Sequence, residues 1–264
     1  MDTVSSGRPR ADAIRDRATV TTYVVLLLLT AAAWTHVVST TSDGDMAGMD
    51  MAMAPTVADG VAYVVAWAIM MAAMMLPSAL PMIALYAATQ KAAPSSARAV
   101  SLVLFVLTYL GLWALTGVPV YAASVVLMSV TADTLAYVVA GVLVGAGLFQ
   151  LTPLKHMCLR HCRSPLGFLL GRWRAGWRGA LAMGWAHAVY CVGCCWALMI
   201  VLVVAGAMGL PWVLLVASTV AAEKLLPRGD WIARLTGVAL VSLGVIVAVR
   251  PALATALRGA GGAM

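Results

Sequence analysis

Charge is what this sequence has least of. Only 10% of its 264 residues are Asp, Glu, Lys or Arg, whereas 63% are hydrophobic and the mean hydropathy is +0.96. Ordinary soluble domains carry about a quarter of their residues as charges. The composition therefore excludes a soluble protein and predicts an all-α bundle of transmembrane helices, because helices satisfy their own backbone hydrogen bonds in lipid.

Long polar stretches are also missing, so the apolar runs divide the chain into about seven predicted spans. The second and third are longer than the roughly 20 residues that cross a bilayer, and they must tilt, kink or project beyond it. Pro77 and Pro81 can kink the second span, and Gly117 and Pro119 can kink or split the third. The predicted spans are 20–39, 57–90, 98–129, 134–151, 179–207, 210–226 and 231–249.

Lys and Arg are absent from alternate loops. The predicted loop 40–56 holds three aspartates and no basic residue, whereas 152–178 contains Lys155 and five arginines. The positive-inside rule makes the N-terminus 1–19 and loop 152–178 cytoplasmic and loop 40–56 external, in a multi-pass protein of the bacterial cytoplasmic membrane. Arg250 and Arg258 are the exceptions.

The same distribution sets the expected domain organisation. Segment 20–39 is a first transmembrane helix, with a signal anchor or cleaved signal peptide as the alternative. Segment 57–250 forms a six-helix membrane domain, and 251–264 is a flexible tail. The net charge of +7 follows from topology, so the lipid bilayer is the expected partner and nucleic acid is not.

The external loop is rich in methionine. Met46, Met49, Met51 and Met53 lie within eight residues, among aspartates and glycines. Thioether sulfur is a soft ligand that suits Cu(I), and aspartates raise the local cation concentration. The loop is predicted to capture a soft metal ion; the alternative is a linker whose methionines are incidental.

The second span contains a methionine cluster within "WAIMMAAMMLPSALPMI". Met70 and Met74 are four residues apart, as are Met71 and Met75, so each pair shares a helical face. The cluster is either a soft-metal site or adaptable packing, since methionine commonly fills gaps in cores.

The fifth span adds nitrogen and sulfur donors. His187, Cys191, Cys194 and Cys195 lie along one stripe, and a histidine inside a span is costly to desolvate. These types suit Cu(I), with Zn(II) possible. Because the second and fifth spans place their clusters at overlapping depth, we expect one shared metal site near the middle of the membrane. The alternative is that the cysteines are only small apolar residues.

Cysteine is absent from the predicted external loops, which argues against a structural disulfide framework. The cytoplasmic stretch "KHMCLRHCR" instead groups four possible ligands, with a basic loop containing stray cysteines as the alternative. They are His156, Cys158, His161 and Cys162.

The sixth predicted span carries two charged residues near its end, Glu223 and Lys224. Glu223 is expected to be a proton carrier, the partner of an arginine or a simple interfacial charge, and Lys224 is expected to snorkel towards water.

Four stretches together resemble a bacterial family of predicted metal-binding integral membrane proteins, a domain of unknown function. They are "WAIMMAAMMLPSALPM", "LTPLKHMCLRHCRSPLGF", "GCCWALM" and "EKLLPRG", in the family's order, over residues 57–250. The resemblance implies a helical membrane domain and a link to metal. It implies no reaction or substrate, and it does not reach the external methionine loop.

Three functions fit these residues. The first is soft-metal handling, chiefly Cu(I) capture, transport or delivery to a membrane cuproprotein. The second is a membrane thiol–disulfide redox protein that uses Cys191 and Cys194, and the third is a structural subunit of a membrane complex. A non-enzymatic role is favoured over an enzymatic one.

Overall fold

The computed structural model describes residues 17–42, 56–90, 93–204 and 209–259. In these ranges the chain forms ten α-helices and no strand, which confirms the all-α prediction. The helices are α1 Arg17–Ser42, α2 Val57–Thr89, α3 Ser95–Met128, α4 Ala132–Gln150, α5 Pro153–Arg163, α6 Pro165–Arg172, α7 Gly176–Val204, α8 Leu210–Leu225, α9 Gly229–Val249 and α10 Ala252–Gly259.

Five of these helices are long and apolar enough to cross a membrane: α1, α2, α3, α7 and α9. α4 and α5 together make a sixth candidate, although the chain bends by 63° between them. α8 has 16 residues and so extends about 24 Å, less than the hydrocarbon core of about 30 Å. Each of the seven predicted spans is helical where it is described, but α4 and α8 are not simple full-length spans.

α2 and α3 continue through their prolines without interruption. Pro77 and Pro81 lie inside α2, and Pro119 lies inside α3, so the third span is not split. α2 begins after Thr56 because a capping box holds its first turn. The Thr56 hydroxyl accepts from the Asp59 amide at 3.3 Å, and the Asp59 carboxylate accepts from the Thr56 amide at 2.8 Å.

Glycines allow two pairs of helices to approach closely. α4 packs on α9, where a Cβ added to Gly147 would lie 2.6 Å from the Gly237 carbonyl oxygen. α3 packs on α7, where a Cβ added to Gly184 would lie 2.6 Å from the Phe105 carbonyl oxygen. Small residues at such contacts let the backbones pack. The second contact places Tyr109, one turn beyond Phe105, beside α7.

The basic loop folds onto the bundle as α5 and α6. The Thr152 hydroxyl caps α5 by accepting from the Lys155 amide. At the other end Arg163 donates to Asp230 at 3.1 Å, which fixes α5 to the first turn of α9. α5 packs on α7 and α8, and the face of α5 that carries Cys158 and Cys162 is turned towards the bundle. The largest apolar core is formed by α2, α3, α7 and α8 around this contact.

Candidate metal site

Four cysteine thiols meet where α5 packs against α7, and we call them the thiol cluster: Cys162, Cys191, Cys194 and Cys195. The Cys162 and Cys194 Sγ atoms are 3.8 Å apart, and the Cys194 and Cys195 Sγ atoms are 3.3 Å apart. All four are buried and free. The sequence placed Cys162 in a separate cytoplasmic group, whereas the structure brings it to the cysteines of α7.

A glycine makes room for the fifth cysteine. A Cβ added to Gly193 would lie 3.0 Å from the Cys158 Sγ atom, so the thiol rests against the α7 backbone between Cys191 and Cys194 in sequence. Cys158 lies one turn before Cys162 on the same buried face of α5. Both cysteines of α5 therefore face α7, as their spacing predicted.

Cys191 has two polar neighbours from other helices. The Tyr109 hydroxyl of α3 lies 3.1 Å from its Sγ atom, and the Lys224 ammonium of α8 lies 3.0 Å from it. Lys224 Nζ also contacts Ser78 Oγ at 3.3 Å and Met75 Sδ at 3.7 Å. The Lys224 side chain is only 7% exposed. The expectation that Lys224 snorkels is therefore wrong, because its ammonium finds partners inside the bundle.

All four methionines of the α2 cluster are buried. α2 and α7 are nevertheless not among the extensively packed helix pairs, since both pack against α3 and α8 instead. The two predicted groups meet through one side chain, because Met75 Sδ and Cys191 Sγ both contact Lys224 Nζ. A shared site made of Met70, Met71, Met74, Met75 and the α7 donors stays a prediction.

His187 lies one turn before Cys191 and is enclosed by aromatic rings. Its ring centroid is 5.4 Å from that of Tyr109 and 5.7 Å from that of Phe168. The side chain is buried, and among the described residues its Nδ1 atom has no hydrogen-bond partner. A buried polar atom without a partner is uncommon and calls for an explanation, and an imidazole nitrogen is a ligand that suits copper.

A buried ion pair lies directly beside the thiol cluster. Lys155 Nζ is 2.6 Å from Glu223 Oε2 and donates to the Cys194 carbonyl oxygen at 2.6 Å. Gln150 Nε2 donates to Glu223 Oε1 at 2.9 Å. The partner of Glu223 is thus Lys155 of α5, whereas the sequence had left open a proton carrier, the partner of an arginine or a simple interfacial charge. This network ties the turn between α4 and α5 to α7 and α8.

The two histidines of α5 each contact another side chain. His156 Nδ1 is 3.2 Å from Asp230 Oδ1, beside the ion pair of Asp230 with Arg163. The His161 ring stacks on Tyr190 with centroids 4.1 Å apart. The predicted group of His156, Cys158, His161 and Cys162 stays a prediction. The external-loop methionines, Met46, Met49, Met51 and Met53, lie outside the described residues.

The donor atoms bear on the two metals considered. In the described ranges, no group of three His, Cys, Asp or Glu side chains is already arranged to hold a metal ion. Zinc is bound by Cys, His, Asp and Glu, whereas Cu(I) also accepts thioether sulfur. Thiols with the Met75 thioether nearby are therefore donors of the kind that Cu(I) accepts.

Sequence reasoning missed several residues that surround the cysteines. Lys224 was assigned to the membrane surface, Lys155 to a basic loop, and Tyr109 and Gln150 were not considered. The useful signal was a lysine and a glutamate next to an apolar span, since buried charges in membranes are usually functional or paired. Their partners come from distant segments, which periodicity does not identify.

Comparison with protein families finds a match over most of the chain. The family model PpoB2, described as a copper chaperone, matches residues 64–247, which is more than two thirds of the chain. The match covers α3 to α8 in full and most of α2 and α9, and it excludes the external methionine loop. No curated protein and no solved structure matches the chain.

Proposed function

The chain belongs to the PpoB2 family of copper chaperones, and we propose that it holds Cu(I) as cargo at the thiol cluster between α5 and α7 and passes the ion to a copper protein. The family match supports copper handling in general. The location of the site, the oxidation state and the delivery step are our proposals.

One observation supports the site above all others: the 3.8 Å contact between the Cys162 and Cys194 thiols. They come from segments 32 residues apart, so helical periodicity alone does not produce the contact. Cys195 Sγ is adjacent, at 3.3 Å from Cys194 Sγ. Thiols that converge from two helices supply the soft sulfur donors that favour Cu(I).

The location of the cluster suits transfer. Gln150 ends α4 and Glu223 is close to the end of α8, and both lie at the level of Lys155 and the Cys194 carbonyl. The thiol cluster therefore lies where α4 and α8 end and α5 packs, and the ion would leave from this end of the two helices, at the predicted cytoplasmic side.

α5 is suited to admit and release the ion. It has only 11 residues, and a helix this short depends on its packing for stability. Its inner face presents Cys158 and Cys162 to α7, while Met157 on its outer side is exposed. A small displacement of α5 would separate Cys162 from Cys194 and open the cluster to an acceptor.

A titration of purified, reduced protein with Cu(I) tests this proposal. Under anaerobic conditions, against a chromophoric Cu(I) chelator, the wild-type protein should bind stoichiometric Cu(I), and prior treatment with a thiol-blocking reagent should prevent it. The double variant Cys162→Ser with Cys194→Ser should lose this binding.

Ala197→Ser is the matched control, because it adds a buried hydroxyl to α7 without removing a thiol. It should bind Cu(I) as the wild type does. Binding that survives in the double variant, or that disappears in the control, would contradict the proposed site.

The same 3.8 Å contact also favours the thiol–disulfide alternative, because Cys162 and Cys194 need only a small movement to form a bond. The two functions predict different behaviour of the protein when its cysteines are reduced. A copper carrier binds its ion when all thiols are reduced, whereas a redox protein exchanges disulfides with a partner and has no need of copper. Copper stoichiometry of the reduced protein separates them.

A further inference from the structure

Lys224 is a buried cation with an unusual set of partners. Its ammonium contacts two sulfur atoms and one hydroxyl: Cys191 Sγ at 3.0 Å, Met75 Sδ at 3.7 Å and Ser78 Oγ at 3.3 Å. In the described part of the chain no carboxylate pairs with it, because the neighbouring Glu223 is bound by Lys155. A buried charge without an ion-pair partner costs free energy. Ionisable residues inside membrane proteins therefore usually mark functional sites.

We propose that Lys224 is a competitor for the cargo: its ammonium occupies the position between Met75 and Cys191 that Cu(I) takes, and so it weakens binding enough for the ion to be handed on. This inference rests on the proposed function and assigns one residue the task of setting the affinity of that site.

The competition follows from the atoms involved. An ammonium donates its hydrogen bonds to lone pairs of sulfur, and a metal ion binds through those same lone pairs. An ion that bridges Met75 Sδ and Cys191 Sγ must therefore replace the Lys224 ammonium. Two positive charges at this short separation also repel each other strongly in a buried site.

The arrangement links the thioether and thiol groups. Met75 belongs to α2, and Cys191 lies one turn before Cys195 on α7. Because the Lys224 ammonium occupies the Cys191 lone pair, Cu(I) bound at Cys191 requires that Lys224 is displaced. With Lys224 displaced, the ion also reaches Met75. The return of the ammonium would move the ion back towards Cys194 and the α5 thiols, from which release is proposed.

The decisive experiment compares the Cu(I) affinities of wild type, Lys224→Leu and Lys224→Arg in the same chelator competition. Lys224→Leu removes the charge without adding a metal ligand and should bind Cu(I) at least about tenfold more tightly, with slower transfer to the chelator. Lys224→Arg keeps the charge and should stay close to wild type. Unchanged or weaker affinity in a folded Lys224→Leu protein would overturn the inference.

A second measurement does not depend on the variants. In a structure of the Cu(I)-loaded wild-type protein, Lys224 Nζ should have moved away from both Met75 Sδ and Cys191 Sγ. Copper bound while both contacts remain would also overturn the inference. If the reduced wild-type protein binds no Cu(I) at all, the proposed function itself fails, which is a different outcome.

Discussion

Lys155 and Glu223 form an ion pair inside the bundle, with 2.6 Å between Nζ and Oε2 and with side chains 0% and 1% exposed. Lys155 also donates to the Cys194 carbonyl, so the pair connects α8 to the backbone of the thiol cluster. The position of the thiol cluster therefore depends on an ion pair whose two residues are not proposed metal ligands.

We predict that Glu223→Gln strongly destabilises the protein. It leaves the Lys155 ammonium buried without its countercharge, and breaking a buried pair in this way costs about 3–5 kcal/mol. Thermal unfolding in detergent, followed by circular dichroism, measures the change. Asp230→Asn is the matched control, because its pair with Arg163 is partly exposed and such pairs contribute about 0–1 kcal/mol. Equal effects of the two substitutions would contradict this prediction.

The close contact between α3 and α7 gives a second prediction. In Gly184→Ala the new methyl group would lie 2.6 Å from the Phe105 carbonyl oxygen, so α3 must move. Overpacking of this kind costs about 1–3 kcal/mol, and displacement of Tyr109 from Cys191 should weaken Cu(I) binding. Gly145→Ala in α4 meets no atom within 4 Å and should be neutral or stabilising. Parallel melting curves and Cu(I) titrations test both, and a neutral Gly184→Ala would show that the contact does not position Tyr109.

The external loop prediction concerns copper capture. Replacing Met46, Met49, Met51 and Met53 together by Leu should reduce copper-dependent activity of the receiving protein at low copper and have little effect at high copper, because thioethers bind Cu(I) weakly. The readout is copper delivered in cells across a range of copper concentrations. Met128→Leu, an exposed methionine of α3, is the control. An unchanged low-copper response would make the loop a linker.

The orientation prediction follows from the basic residues. With all five cysteines removed, a single cysteine at Gly44 should react with a membrane-impermeant reagent added outside intact cells. A single cysteine at Leu170, which is 77% exposed on α6, should react only after the membrane is opened. The reverse pattern would place α5, α6 and the thiol cluster at the external side.

The helices were largely predictable from sequence, and the neighbours of the site were not. Hydrophobic runs placed α2 and α9 within a few residues because the cost of exposing polar backbone to lipid depends on local composition. The 63° bend after α4 coincides with Pro153 at the start of α5, whereas the packing of α5 against α7 and α8 is a tertiary contact that composition does not encode.

The candidate site was likewise predictable in part. Helical spacing correctly put Cys158 and Cys162 on one face, but it did not predict that this face meets Cys194. Lys224 points inwards because Ser78, Met75 and Cys191 surround its ammonium. Such partners depend on tertiary contacts between helices that are distant in sequence.

Copper-edge X-ray absorption spectroscopy of the purified, Cu(I)-loaded protein tests the central claim most directly. If Cu(I) is held at the thiol cluster, the wild-type spectrum will show a first shell dominated by sulfur. That shell will be lost or depleted of sulfur in Cys162→Ser with Cys194→Ser, and it will be retained in Ala197→Ser. A first shell of nitrogen and oxygen only, or a sulfur shell unchanged in the double variant, would contradict the account.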